Sequence, residues 1–195
     1  GLLIPLIMPI DVPLWMVGVS TAFAVIIGKE VFGGTGMNVF NPALMARAFL
    51  FFSYPAWMTG DKVWIDGLVK GENIVDGFSG ATPLGLLAAG ETDKIPSFME
   101  MFIGTIPGSI GETSALAILI GAAILIITGI GSWKIILSVF GGGLAMGLLL
   151  NAVAVNSYME LPAWYHFVMG GFAFGAVFMA TDPVSGSQTE TGKWI

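Results

Sequence analysis

The stretch IILSVFGGGLAMGLLLNAVAV, residues 135–155, decides which solvent this chain is built for. It carries no charged side chain, and crossing a bilayer core takes about 20 mostly apolar residues in a helix. Its glycines suit close packing in lipid, where small residues let helix backbones approach. The rest of the sequence agrees. Of 195 residues, 55% are hydrophobic and 10% charged, against about 25% charged in soluble domains. A surface so poor in charge does not stay dissolved in water. Working outward from 135–155, spans are expected near residues 15–28, 37–58, 115–131, 134–155 and 164–181, with 59–113 as a long polar loop. The expected fold is therefore all-α, a polytopic transmembrane helix bundle forming a single domain over residues 1–195. A short amphipathic helix is expected near residues 96–106.

Several chemistries are excluded. There is no cysteine, so no disulfide and no cysteine-ligated iron–sulfur cluster forms within the chain. One histidine, His166, cannot alone supply a bis-histidine haem site. Net charge is −6, so no nucleic-acid partner is expected. The chain begins at Gly1 and ends as apolar residues resume, and is read as an internal piece of a longer subunit.

Lysine placement gives an orientation. Cytoplasmic loops are enriched in Lys and Arg, and Lys29, Lys134 and Lys193 fall on one side if all five spans cross. The loop at 156–163 on the other side has neither. The cytoplasm is expected on the lysine side, and 59–113 on the outer side. Trp57, Trp133, Trp164 and Tyr165 sit at span ends, as an aromatic belt would. His166 beside them is most simply an interface residue.

The polar residues near or inside the spans are the candidates for chemistry. The loop Asp76-Gly-Phe-Ser79-Gly-Ala-Thr82-Pro83-Leu84 presents one threonine hydroxyl among small neighbours; it suits modification, and it is equally an ordinary turn. Gly33, Gly34 and Gly36 around Thr35 are not followed by Lys-Ser/Thr, so they are no phosphate-binding loop. Asn38 and Asn41, three apart, would share one face of a helix. Amides inside a membrane must bond something, either a ligand or a helix end. Arg47 lies mid-span and needs an acid: Glu30, Glu112 or a carboxylate of a neighbouring subunit. Glu112 also reads as an ordinary helix-start acid. Asn41-Pro42 and Asp182-Pro183 look like matched breaks, a sign of a central binding site in transporter folds; Asp182 is otherwise a solvated helix end.

The string 76–82 resembles the flavin-attachment motif of membrane subunits of the sodium-translocating NADH:quinone oxidoreductase and of the related Rnf complex. Gly28-Lys-Glu-Val-Phe-Gly-Gly-Thr-Gly-Met-Asn-Val-Phe-Asn-Pro-Ala-Leu44 resembles the family formed by the B subunit of that enzyme and the D subunit of Rnf. So do Ile106-Pro-Gly-Ser-Ile-Gly-Glu-Thr113 and Phe178-Met-Ala-Thr-Asp-Pro-Val184. The resemblance implies a urea-transporter-like architecture of inverted repeats with broken helices. It implies flavin mononucleotide (FMN) joined to Thr82 through a phosphoester, with Asp76 and Ser79 in the motif. It also implies a non-covalent riboflavin near Asn38 and Asn41, with Asp182 on the riboflavin site or an ion path.

On that reading the chain is one component of a translocase. Electrons pass from FMN on Thr82 via riboflavin to quinone, coupled to sodium export, in a complex of several subunits. The expected location is the bacterial inner membrane, with the Thr82 loop periplasmic. If Thr82 and Asn38 lie on opposite faces, the two flavins stand about 30 Å apart. Two other readings are an Rnf flavoprotein subunit and a cofactor-free channel or solute carrier. The latter accounts for Asn41-Pro42, Asp182-Pro183 and Arg47 but not for the loop.

Overall fold

The computed structural model describes residues 2–58 and 82–195. Asp76 and Ser79 lie outside the described residues. All regular structure among those described is helical. The long elements are α2 (Leu14–Ile26), α3 (Pro42–Ser53), α7 (Ala115–Ile127) and α8 (Trp133–Val153). The short ones are α1 (Leu3–Leu6), α4 (Pro55–Met58), α5 (Pro83–Ala88), α6 (Phe98–Ile103), α9 (Ser157–Glu160) and α10 (Phe172–Phe174). Two segments, Leu14–Phe32 and Trp133–Val153, are long and apolar enough to cross a membrane. At 21 residues, α8 is roughly 31 Å long at 1.5 Å per residue, the thickness of a hydrocarbon core. Leu137, Leu144, Met146, Leu148 and Leu149 of α8 and Ile120, Ile124, Ile126 and Ile127 of α7 are exposed. Apolar faces of that extent mark contact with lipid or protein rather than water.

The helices differ in length from the sequence expectation, for reasons written into the backbone. The stretch 37–58 is not one helix. Residues 37–41 are irregular, and α3 starts only at Pro42, which has no N–H to leave unpaired. Asn41 is its cap, accepting from Ala43 N at 2.9 Å and Leu44 N at 3.4 Å. Pro55 then interrupts the run, since a proline disfavours a helical residue before it; Tyr54 ends α3 at φ −136°. The stretch 164–181 is broken likewise. A 3₁₀ turn, Ala163–Phe167, gives way at Gly170 (φ +58°) before α10 continues into a π-helical turn, Gly175–Met179. Near residues 96–106, α6 forms with a reciprocal cap: Ser97 Oγ accepts from Glu100 N, and the Glu100 carboxylate accepts from Ser97 N at 2.8 Å.

The main core joins α1, α2 and α3 to α7 and the π turn, with Ile7, Ala24, Ala46, Leu50 and Val177 almost fully buried. Ala24, Ala43 and Ala46 keep α2 and α3 close, and Phe23 stacks on Phe49 with ring centroids 4.5 Å apart. A second cluster (Leu87, Met101, Ile106, Ala115, Val168 and Met169) packs α5 and α6 against the start of α7. At the tail, Lys134 and Lys193 (2.7 Å) both donate to the Glu190 carboxylate, and Trp133 meets Trp194 edge-on at 5.6 Å. This ties 190–194 to the start of α8.

Two of these features can be tested directly. Gly104 ends α6 at φ +103°, and a Cβ there would lie 2.6 Å from Ser114 Cα and 2.8 Å from Ser114 N. Gly104→Ala is expected to cost about 2 kcal/mol, read as a lower Tm of the purified subunit in detergent; Gly18→Ala, with open space around it, will not lower Tm. The hydrogen bonds and charge of Lys134, then Lys193, depress the Glu190 pKa from an ordinary 4.5 to about 2. A depressed carboxylate stabilises above its unfolded pKa and stops doing so as pH falls through the folded one. The Trp133–Trp194 contact will therefore hold at pH 5 and loosen between there and pH ~2, and Glu190→Gln will loosen it at neutral pH; tryptophan fluorescence reads both.

Candidate functional site

Several cavities open where the helices break, and three of them bear on the residues above. The first, about 180 Å³, is lined by Thr82, Arg47, Glu112, Ser109, Thr113 and Gly171 among others. Thr82 is half-buried and caps α5, its Oγ1 accepting from Gly85 N at 3.1 Å, with Pro83 as the first helical residue. The motif threonine therefore has a fixed backbone position, set by the same Xaa-Pro device that starts α3. Arg47 donates through Nη1 to Glu112 Oε1. Of the acids the sequence offered, the structure selects Glu112. Its carboxylate is 9% exposed and Arg47's side chain 38%. The guanidinium gives this little-exposed carboxylate a charge-assisted hydrogen bond.

The carboxylate reaches Arg47 because Gly171 has no side chain. A Cβ there would stand 2.3 Å from Glu112 Oε1. The Gly170–Gly171 break is thus part of the ion pair's housing. Ser109 and Thr113 line the same cavity, are less than a tenth exposed, and make no side-chain hydrogen bond among the described residues.

The second cavity, about 460 Å³, is mainly apolar, with Asn41, Phe40, Phe172, Met179 and Gly171 among its walls. The third, about 390 Å³, takes in Asn41, Asp182 and Lys29. Asn41 Nδ2 lies 3.5 Å from Asp182 Oδ2, the limit of a hydrogen bond. Asp182 also accepts from Ser185 Oγ at 2.6 Å and Val184 N at 3.4 Å, closing the turn after the π segment. Asn38 and Asn41 do not share a helix face, because the helix begins after both. Asn38, 9% exposed, donates to Phe40 O at 3.1 Å and so braces the segment that walls the second cavity. Asn41 and Asp182 are brought together; Thr82 belongs to a separate chamber. Gly171 lines both the first and second cavities, so those two chambers share that glycine in their walls.

The sequence reading did not single out Ser109, Thr113 or Gly171 as site residues. The string 106–113 was visible, but nothing in it told a cavity wall from a helix lead-in. Asn151 was also missed: its Oδ1 accepts from Ala163 N, and its Nδ2 donates to Met159 O and Leu161 O, pinning the turn after α8. His166 lies in the 3₁₀ turn, half-buried.

Among the described residues, fold and site together define a helical chain with two helices of membrane-crossing length and cavities at the breaks in its helices. The chain belongs to the NQR2, RnfD, RnfE family, whose model matches residues 1–195. It is 52% identical over 201 residues to the B subunit of the Na(+)-translocating NADH-quinone reductase of Pseudomonas aeruginosa (strain LESB58), covering all of this chain and 48% of that protein. The B subunit of Ectopseudomonas mendocina is also 52% identical over 201 residues, with the same coverage. That of Chromohalobacter salexigens is 50% identical over 200 residues, covering all of this chain and 47% of the relative. The chain spans about half the length of the curated relatives it matches.

The ion pair gives a test of the site's packing. Gly171→Ala will displace the Glu112 carboxylate at a cost of about 1–3 kcal/mol. In a Glu112→Ala background the same change will cost far less, since the clash has gone; additive losses across this double-mutant cycle of thermal unfolding would remove Glu112 as the reason for the glycine.

Proposed function

We propose that this chain is the membrane part of the B subunit of a sodium-translocating NADH:quinone reductase. In that complex, electrons from FMN esterified to Thr82 pass via riboflavin to quinone, coupled to sodium export. The observation that supports the reading is the placement of the motif threonine: Thr82 sits at a cavity with a cation, Arg47, and the hydroxyl residues Ser109 and Thr113 in its wall. The flavin-motif string, on which the assignment of the threonine began, ends at that residue.

The residues fit the groups. At about 180 Å³, the Thr82 cavity is smaller than a pocket for a whole small ligand, ~300–1,000 Å³. It has room for a phosphate and the start of a ribityl chain, leaving the ring outside. Thr82's hydroxyl oxygen is already oriented by Gly85 N and can keep that bond after esterification, since an ester oxygen still accepts. The second cavity, at about 460 Å³, lies within the range for a whole ligand. Its apolar walls at Phe40, Phe172 and Met179 exclude water from a flavin ring, and Asn41, whose Oδ1 is taken up in capping α3, has a second Nδ2 hydrogen to donate at the edge. Asn38 holds Phe40 in place for this. Asp182, tied to Asn41, lies on the riboflavin site or an ion path.

Flavins supply one- and two-electron chemistry; the protein's share is to place and tune them. Lys29, Lys134 and Lys193 are read as cytoplasmic and the Thr82 chamber as opening outward, in a multi-pass subunit of a bacterial inner membrane. Other subunits, quinone and sodium are its partners. The Rnf relative keeps the flavins and changes the electron donor.

In-gel flavin fluorescence of the denatured full-length subunit tests the reading. The parent subunit will fluoresce, Thr82→Ala will be dark, and the Thr82 peptide of the parent will carry the added FMN mass. A dark parent subunit sinks the flavin reading and leaves the channel. Sodium-dependent NADH:quinone activity of the assembled complex separates the sodium pump from Rnf.

A further inference from the structure

A cation, two hydroxyls that open on to it and the motif threonine share one small cavity, and the ion pair alone does not account for that set. Arg47 makes one hydrogen bond among the described residues, Nη1 to Glu112, although a guanidinium carries five N–H donors. Ser109 and Thr113 are 8% and 7% exposed and bond nothing through their side chains among the described residues. No buried side-chain polar atom among the described residues lacks a partner, so the two hydroxyls are open to the cavity rather than sealed in protein. All three residues line the Thr82 cavity, where their free donors can meet a group placed beside Thr82. A hydroxyl can donate or accept, but a guanidinium only donates, so the set suits an acceptor, and the positive charge favours an anion.

We propose that Arg47, Ser109 and Thr113 form a cradle for the phosphodiester on Thr82, and that Glu112 holds Arg47 in place until the phosphate arrives and then shares it. The inference rests on the attachment of flavin at Thr82. Attachment forms the Thr82 Oγ–P bond and releases the hydroxyl proton. It breaks the bond from phosphorus to the leaving nucleotide of an activated flavin donor. The product is a phosphodiester with one negative charge at every physiological pH. That charge arrives in a partly buried site, where an unpaired anion is costly. Arg47 offers it the charge-assisted, planar recognition that suits phosphate. Glu112 works the other way: it competes for the same guanidinium and places a second negative charge in the cavity wall.

The two members of the ion pair therefore have opposite effects on attachment, whereas a purely structural pair would give the same effect from either side. The test uses the full complex, assembled without its flavin transferase and then given transferase and donor, with attachment followed by fluorescence of the denatured subunit. Arg47→Gln will slow attachment at least tenfold, as loss of a charged hydrogen bond implies, and Arg47→Lys will recover part of the rate. Glu112→Gln will attach flavin as fast as the parent or faster. Ser109→Ala combined with Thr113→Val will slow it by less than Arg47→Gln.

If Glu112→Gln slows attachment together with Arg47→Gln, the pair is a structural strut and the cradle is wrong. A parent rate in Arg47→Gln overturns it equally. Should Arg47→Gln not assemble, the Glu112→Gln and Arg47→Lys rates decide on the same terms. Failure of the underlying reading looks different: the parent complex itself takes no flavin, or Thr82→Ala still takes it, and the cradle then falls with it.

Discussion

A guanidinium on an apolar helix must have an acid within reach, and much of the architecture around α3 follows from how Arg47 is given one. Glu112 stands in the irregular lead-in to α7. Its carboxylate reaches Arg47 past a residue with no side chain, Gly171, which sits in the break between the Ala163–Phe167 turn and α10. Three segments far apart in sequence are fixed to each other by one charge pair. Breaking such a pair from one side costs about 3–5 kcal/mol when it is buried; Arg47's partial exposure puts this one below that. The same requirement explains where regular structure stops. Non-helical backbone at membrane depth is tolerated where protein buries it or a cavity receives it. Here residues 39–41, 106–109, 170–171, 182–183 and 185–186 all line cavities.

Three of the candidate polar residues stand at helix ends or turns rather than on helix faces. Asn41 caps α3, Thr82 caps α5 and Asp182 closes the turn after the π segment. In each case proline occupies the next position. In the first two it starts a helix, while after Asp182 it does not. The resemblance between Asn41-Pro42 and Asp182-Pro183 is thus one of sequence with different local outcomes, yet the two pairs still meet, through the 3.5 Å approach of Asn41 to Asp182.

The all-helical character and the long α8 were legible in the sequence because composition and unbroken apolar length carry that information directly. The need for an Arg47 partner was legible for a similar reason: a charge in an apolar run has few solutions. The segmentation of 37–58 and 164–181 could not be read. A hydropathy pattern does not register that Asn41 caps the helix after it, nor that Gly170 adopts a positive φ. The placing of Asn38 and Asn41 on one helix face failed on that point. The wall residues Ser109 and Thr113 were invisible because a small polar residue in an irregular segment looks the same whether it faces solvent or a chamber. Pairing Glu112 with Arg47 needed three-dimensional proximity across 65 positions, which no local pattern encodes.

Gly171 touches the Thr82 chamber on one side and the Asn41 chamber on the other. The wall that the two rooms share includes backbone with no side chain on it. A shift of that backbone therefore changes the shape of both rooms at once. Their occupants need not touch for one to alter the walls around the other, and Gly171 is the residue through which that happens.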